Sequence, residues 1–171
     1  MTGVQTCALP ISNHLSHSGL ANIIVTNRCD LTCWYCFFYV KKGLEGAYMY
    51  EPSQDQVRAM MKTLRAERPI PGNSMQITGG EPMLREDITD LIKIMKEEHV
   101  DHIQMNTNGI RHALDPEAGR DVRMAGCNNL YLSFDGVTAR TNPKNHWEIP
   151  YALDTCRKTG TTVVFVPTVI K

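Results

Sequence analysis

Strand-like runs start at Met75, His102, Asn129 and Thr162, at intervals of 27, 27 and 33 residues, and read MQIT, HIQMNT, NLYLSF and TVVFV. A fifth run, ANIIVT from Ala21, precedes them. Intervals of about 30 residues are what a strand, a crossover helix and two short loops consume, so the spacing predicts right-handed βα crossovers and a parallel sheet. The intervening segments carry the other period. Val57, Met60, Met61 and Leu64 fall at i, i+3, i+4, i+7 behind Ser53 and Gln56, which have capping-box spacing. Ile88, Leu91, Ile92 and Met95 repeat that pattern, with Glu86 and Asp87 where the helix dipole favours negative charge. Pro116 and Gly126 bracket a third helix, and Pro150 and Gly160 a fourth. The expected order is βαβαβαβαβ, an α/β fold.

Such a sheet gathers its working residues at the carboxyl ends of the strands. The unusual residues all fall there. CDLTCWYC, Cys29 to Cys36, follows the first strand; GGEP, Gly79 to Pro82, the second; NTNG, Asn106 to Gly109, the third; and SFDG, Ser133 to Gly136, closes the fourth. Each has a plain alternative as a turn, since Asn-Gly and Asp-Gly are common turn dipeptides. Four in succession on one rim point instead to a shared ligand. Cys29, Cys33 and Cys36 make three thiols, one short of the usual four-ligand zinc or iron–sulfur set, which leaves either a distant fourth ligand or an open position.

Composition narrows the function classes. Eighteen basic against eighteen acidic residues leave no net charge, which argues against nucleic acid or an anionic membrane as partner. Apolar runs such as ANIIV fall well short of the roughly 20 residues of a membrane-spanning helix. A soluble protein of the reducing cytoplasm is expected, with thiols used for metal rather than disulfides. Residues 1–11, MTGVQTCALPI, lack periodicity or cap, and back-translated they resemble the end of a sequencing adapter. They are read as an artefact, which removes Cys7 from the count. Residues 12–20 form a short lead-in, and 21–171 an incomplete core domain that breaks off at about the fifth strand.

CxxxCxxC with an aromatic before the last cysteine, followed by GGEP, resembles the radical S-adenosylmethionine (SAM) enzymes over about residues 21–171. The resemblance implies a partial (β/α) barrel and a [4Fe–4S] cluster on Cys29, Cys33 and Cys36 whose fourth iron takes SAM. SAM is then cleaved reductively to a 5′-deoxyadenosyl radical. It implies cofactor contacts from Gly79 and Gly80, whose missing side chains admit the methionine moiety, from Glu81 to its ammonium, and from Tyr35 to adenine. Ser133, Asp135 and Asn106 are candidates for the ribose. Trp34 is expected to pack on the barrel, and Cys127 and Cys156 to pack in the core. An external electron donor such as ferredoxin or flavodoxin is expected as partner.

Over longer stretches, among them YEPSQDQVRAMM and NPKNHWEIPYALDTCRKTG, the chain is similar to the archaeal tetraether lipid and macrocyclic archaeol synthases. That implies carbon–carbon bonds between isoprenoid chains, a lipid substrate, and membrane association through regions outside this stretch. The alternatives are a radical methylase acting on a pterin or similar heterocycle, a structural zinc module, a thioredoxin-like redox module using Cys33 and Cys36, and a non-catalytic scaffold.

Overall fold

The structure, a computed structural model, describes residues 20–36, 51–68, 71–142, 144 and 146–168; residues 1–19, with the artefact reading of 1–11, lie outside them. Its elements are β1 (Leu20–Thr26), α1 (Gln54–Ala66), β2 (Ser74–Gly79), a 3₁₀ turn (Pro82–Leu84), α2 (Ile88–Glu97), β3 (His102–Thr107), α3 (Ile110–Leu114), α4 (Pro116–Ala125), β4 (Asn129–Ser133), α5 (Ile149–Thr159) and β5 (Thr162–Val166). All neighbouring strands pair in parallel, in the order β1-β2-β3-β4-β5. A strand order that follows the chain order, with successive helices packed side by side, is part of a (β/α) barrel rather than a doubly wound sheet.

Strand alternation makes the two faces of the sheet chemically different. Ile23, Val25, Met75, Ile77, Ile103, Met105 and Leu130 are buried against the helices, where Val57, Met61, Leu91, Ile92, Met95 and Val122 meet them. Residues of opposite parity, Gln76, Thr78, Asn106, Tyr131 and Ser133 among them, point to the inner face and keep some exposure. Fully burying one such aliphatic side chain is worth about 1.5–3 kcal/mol, so the helix-covered face carries the stability and leaves the inner face to function.

The helix signals hold. Ser53 Oγ accepts from Gln56 N at 3.2 Å and Gln56 Oε1 from Ser53 N at 2.8 Å, the complete capping box. Asp115 caps α4 through Ala118 N with Pro116 in the first turn, and Gly160 closes α5 at φ 68°. Two elements are additional: the 3₁₀ turn after β2 and the five-residue α3. Both are too short for a 3.6-residue period to register. Buried Arg85 ties the rim from beneath, donating to the carbonyls of Val25 and Pro52 at 2.9 Å while its fork grips Asp87.

Candidate active site

A cavity of about 370 Å³ opens at the carboxyl ends of the strands, within the usual range for small-molecule sites. Cys29, Cys33, Tyr35 and Cys36 line it from the first loop, Gly79, Gly80 and Glu81 from the second, Asn106 and Asn108 from the third, and Ser133 from the fourth. The four motif loops therefore share one cavity. Of the residues expected to hold the cluster or SAM, Asp135 alone lies off its wall.

The glycine pair has a reason beyond ligand access. A Cβ on Gly79, whose φ is 153°, would lie 2.3 Å from the Thr26 carbonyl oxygen, and one on Gly80 would lie 2.2 Å from that of Arg28. The backbone makes use of this approach, with Gly80 N donating to Thr26 O at 2.9 Å and Glu81 N to Arg28 O at 2.7 Å. The glycines thus press the end of β2 against the start of the cysteine loop. The close contact is made first by the chain itself.

Glu81 is fully buried, and its carboxylate accepts from Met83 N at 3.0 Å, Thr107 Oγ1 at 2.8 Å and Asn108 N at 2.7 Å. These bonds brace the second loop against the third. Burial pushes its carboxyl up to about 7, against the pull of the three donors, and the charge of Asp30 adds to the rise. The folded-state value lies above the 4.5 of an exposed side chain, so the stability this proton binding contributes is whole below about pH 4.5 and is lost as pH rises through 7. Thermal melting should therefore shift down by several degrees between pH 5 and 8. Glu81→Gln should melt lower throughout, since one acceptor becomes a donor facing Asn108 N, and should lose that component of the pH dependence; an identical pH slope in the two proteins would count against the assignment.

Across the cavity, Tyr35 Oη donates to Asp135 Oδ2 at 2.7 Å, and Thr168 N to Asp135 Oδ1 at 2.9 Å. Lys144 Nζ reaches the same carboxylate, donates to Ser133 Oγ at 3.0 Å and stands 5.6 Å from the centre of the Tyr35 ring. Burial works against the charge on Asp135, but Lys144, Tyr35 and the Thr168 amide together hold its carboxyl below the usual carboxylate range. Asp135 fastens the cysteine loop to the end of β4. Lys144, which lines the cavity, was invisible in the sequence because it sits in a loop with neither period nor motif. Trp34 departs from expectation: it is 77% exposed rather than packed on the barrel. The turn closed by Cys36 N donating to Cys33 O at 3.0 Å sends Tyr35 inward and Trp34 out, with the two rings edge to face at 5.4 Å.

The thiols divide as expected. Cys127 and Cys156 are buried, and burial pushes the Cys127 thiol up to about 12, fitting packing residues. Cys29, Cys33 and Cys36 are free and share the cavity, with no histidine on its described wall. Among the described residues no three His, Cys, Asp or Glu side chains converge as a preformed cation site. Three soft donors on one loop, facing a cavity with room for a further ligand, nonetheless fit an iron–sulfur cluster with one iron left to a non-protein ligand.

Fold and site together define a (β/α) half-barrel with three free thiols at the mouth of its strand-end cavity. The chain belongs to the radical SAM superfamily, whose model matches residues 23–171, and the cofactors of that family are a [4Fe–4S] cluster and S-adenosylmethionine. Members of the family also draw on an external reductant. The chain is 38% identical over 165 residues to a 7,8-dihydro-6-hydroxymethylpterin dimethyltransferase of Methanocaldococcus jannaschii, covering 93% of this chain and 32% of that protein. It is 31% identical over 166 residues to a GTP 3′,8-cyclase of Clostridium acetobutylicum, covering 94% of this chain and 50% of that protein. The chain thus spans 32% to 50% of the length of these curated relatives. Methylornithine synthase shares the fold, with a TM-score of 0.66 at 18% identity over 85% of this chain and 43% of that one. The similarity to tetraether lipid synthases finds no support in these relatives.

Proposed function

We propose that the chain is the SAM-cleaving core of an enzyme acting on a bicyclic heterocycle of the pterin or guanine type. The observation that carries the SAM-cleaving part is the single cavity that joins the three-cysteine loop to the Gly79–Gly80 strand end. The heterocycle part is supported by the two relatives above, one named for a pterin and one for GTP.

Cys29, Cys33 and Cys36 would hold the cluster, and Tyr35, Ser133 and Asn106 are the candidates to orient SAM or the substrate beside it. When bound, cluster and SAM supply a primary alkyl radical able to take hydrogen from carbon. The chain's own part is to hold the partners close in a walled cavity: Gly80 keeps the β2 end against the cysteine loop, and Glu81 keeps the third loop in place. Ferredoxin or flavodoxin is the proposed electron donor. Carbon–carbon coupling of isoprenoid chains, the reading suggested by the longer sequence similarity, differs in its products.

The intact gene product, given SAM, dithionite and a dihydropterin under anaerobic conditions, is expected to release 5′-deoxyadenosine and convert the pterin to a product of altered mass. Coupling of lipids would instead yield molecules lighter by two hydrogens for each new bond. Mass spectrometry of both fractions separates the readings, and unchanged heterocycle beside coupled diether lipid would refute this one.

A further inference from the structure

The inner face of the sheet carries one complete row of uncharged polar side chains. Asn22, Gln76, Gln104, Asn129 and Thr162 are register partners across all five strands. Inner faces of small barrels are commonly filled by branched aliphatic residues. Gln104, the buried member of the row, must find partners for two N–H groups and an oxygen, whereas Asn22 at the edge is exposed and Gln76 and Asn129 are partly buried.

The bonds donated by Gln104 and Gln76 run in one direction, while Asn129 Nδ2 lies 3.2 Å from His102 Nε2. Gln104 Nε2 donates to Gln76 Oε1 at 3.3 Å, and Gln76 Nε2 donates to Asn106 Oδ1 at 2.7 Å. Asn106 stands above this row, beside its register partner Tyr131, and both line the cavity. With its oxygen engaged from below, Asn106 has its Nδ2 group left over, and no described side chain accepts from it. No Asp, Glu, Lys or Arg occupies a described position of the five strands. The charged groups of the site, Asp30, Glu81, Asp135 and Lys144, all belong to the rim loops, and each holds a hydrogen bond within the chain.

We propose that Asn106, oriented by the Gln104–Gln76 amide chain, is the substrate-recognition group at the cavity floor, donating its N–H pair to a carbonyl oxygen or ring nitrogen on the edge of an uncharged heterocycle. This rests on the heterocycle reading above and adds the recognition chemistry to it. A saturated hydrocarbon would leave the amide unpaired at a cost, and a phosphorylated group would find on the described wall one cation, Lys144, which is already held by Asp135 and Ser133. Asn106 therefore reads the substrate rather than the ribose of SAM, the role the sequence suggested, and Gln76, which does not line the cavity, is a positioning residue.

Binding to the cluster-loaded protein tests this, with 6-hydroxymethylpterin as a fluorescent probe and SAM as the control ligand. Asn106→Leu, similar in size but apolar, is expected to weaken pterin binding about tenfold, the loss of one or two hydrogen bonds, and to leave the SAM dissociation constant within about twofold. Gln76→Leu should weaken pterin binding about threefold by freeing the amide to turn. Iron content and melting temperature at parental values confirm that each variant is folded. Guanosine and GTP should bind the parent alike. Unchanged pterin affinity in both variants would overturn the assignment while leaving the heterocycle reading intact, provided the parent converts the pterin. A loss confined to SAM would move Asn106 to the cosubstrate and overturn it too. A parent protein that binds neither pterin nor guanosine would remove the heterocycle reading itself and this inference with it.

Discussion

Replacing any one of Cys29, Cys33 or Cys36 with alanine is expected to reduce iron in the anaerobically reconstituted protein from about four atoms per chain to near none. The three thiols lie on one loop at the mouth of one cavity, and the described wall offers no substitute. It contains no histidine; its one acidic residue, Glu81, is buried and bound to Met83, Thr107 and Asn108. Cys127 and Cys156 are buried within the helix-covered core, so neither can move in as a replacement. Changing either of those to alanine should leave cluster loading intact and show in stability alone, by about 1–2 kcal/mol for the small volume removed. Iron and sulfide analysis with the visible spectrum reads both sets. Full loading of Cys33→Ala would sink the cluster assignment, and loss of loading in Cys156→Ala without unfolding would show that the thiols had been wrongly divided.

Why these three thiols could be picked out beforehand, and Lys144 could not, follows from how each signal is encoded. Strand starts, helix faces and the Ser53–Gln56 cap are local, because burial on one face writes a period into neighbouring residues and capping needs fixed offsets. The cysteine loop and Gly79–Gly80 are local too, since ligand spacing and close backbone approach demand particular residues in a row. What escaped is contact between loops far apart in the chain. Tyr35 and Asp135 are 100 positions apart and meet only once the sheet has formed. Glu81 finds Asn108 across 27 positions, and no feature of GGEP announces that its carboxylate is engaged within the chain. The Gln104–Gln76–Asn106 chain lay hidden for a different reason. Alternating polar residues in MQIT and HIQMNT are what any strand with one face away from the core would show, and only the register reveals that they form one row.

Gly80→Ala is expected to eliminate 5′-deoxyadenosine formation and to lower cluster loading with it, although the residue carries no functional group. An added Cβ would stand 2.2 Å from the Arg28 carbonyl oxygen and 2.8 Å from that of Asn27, separations real structures essentially never show. Backbone cannot swing aside as a flexible side chain can, so residues 27–28 must move. That movement breaks the Glu81 N to Arg28 O bond of 2.7 Å and displaces Cys29, the next residue in the chain. Reduced access of SAM alone, the effect that sequence reasoning assigns to this glycine, would leave the cluster spectrum intact; displacement of the loop would not. Gly160→Ala provides the contrast. Gly160 has φ 68° and nothing within 4 Å of an added Cβ, so only the left-handed backbone opposes the change, at about 1 kcal/mol. It should melt a few degrees lower and cleave SAM at the parental rate. Measured in the intact gene product, a Gly80→Ala protein with full iron content and undiminished SAM cleavage would show that the β2 end and the cysteine loop are not held together as this geometry requires.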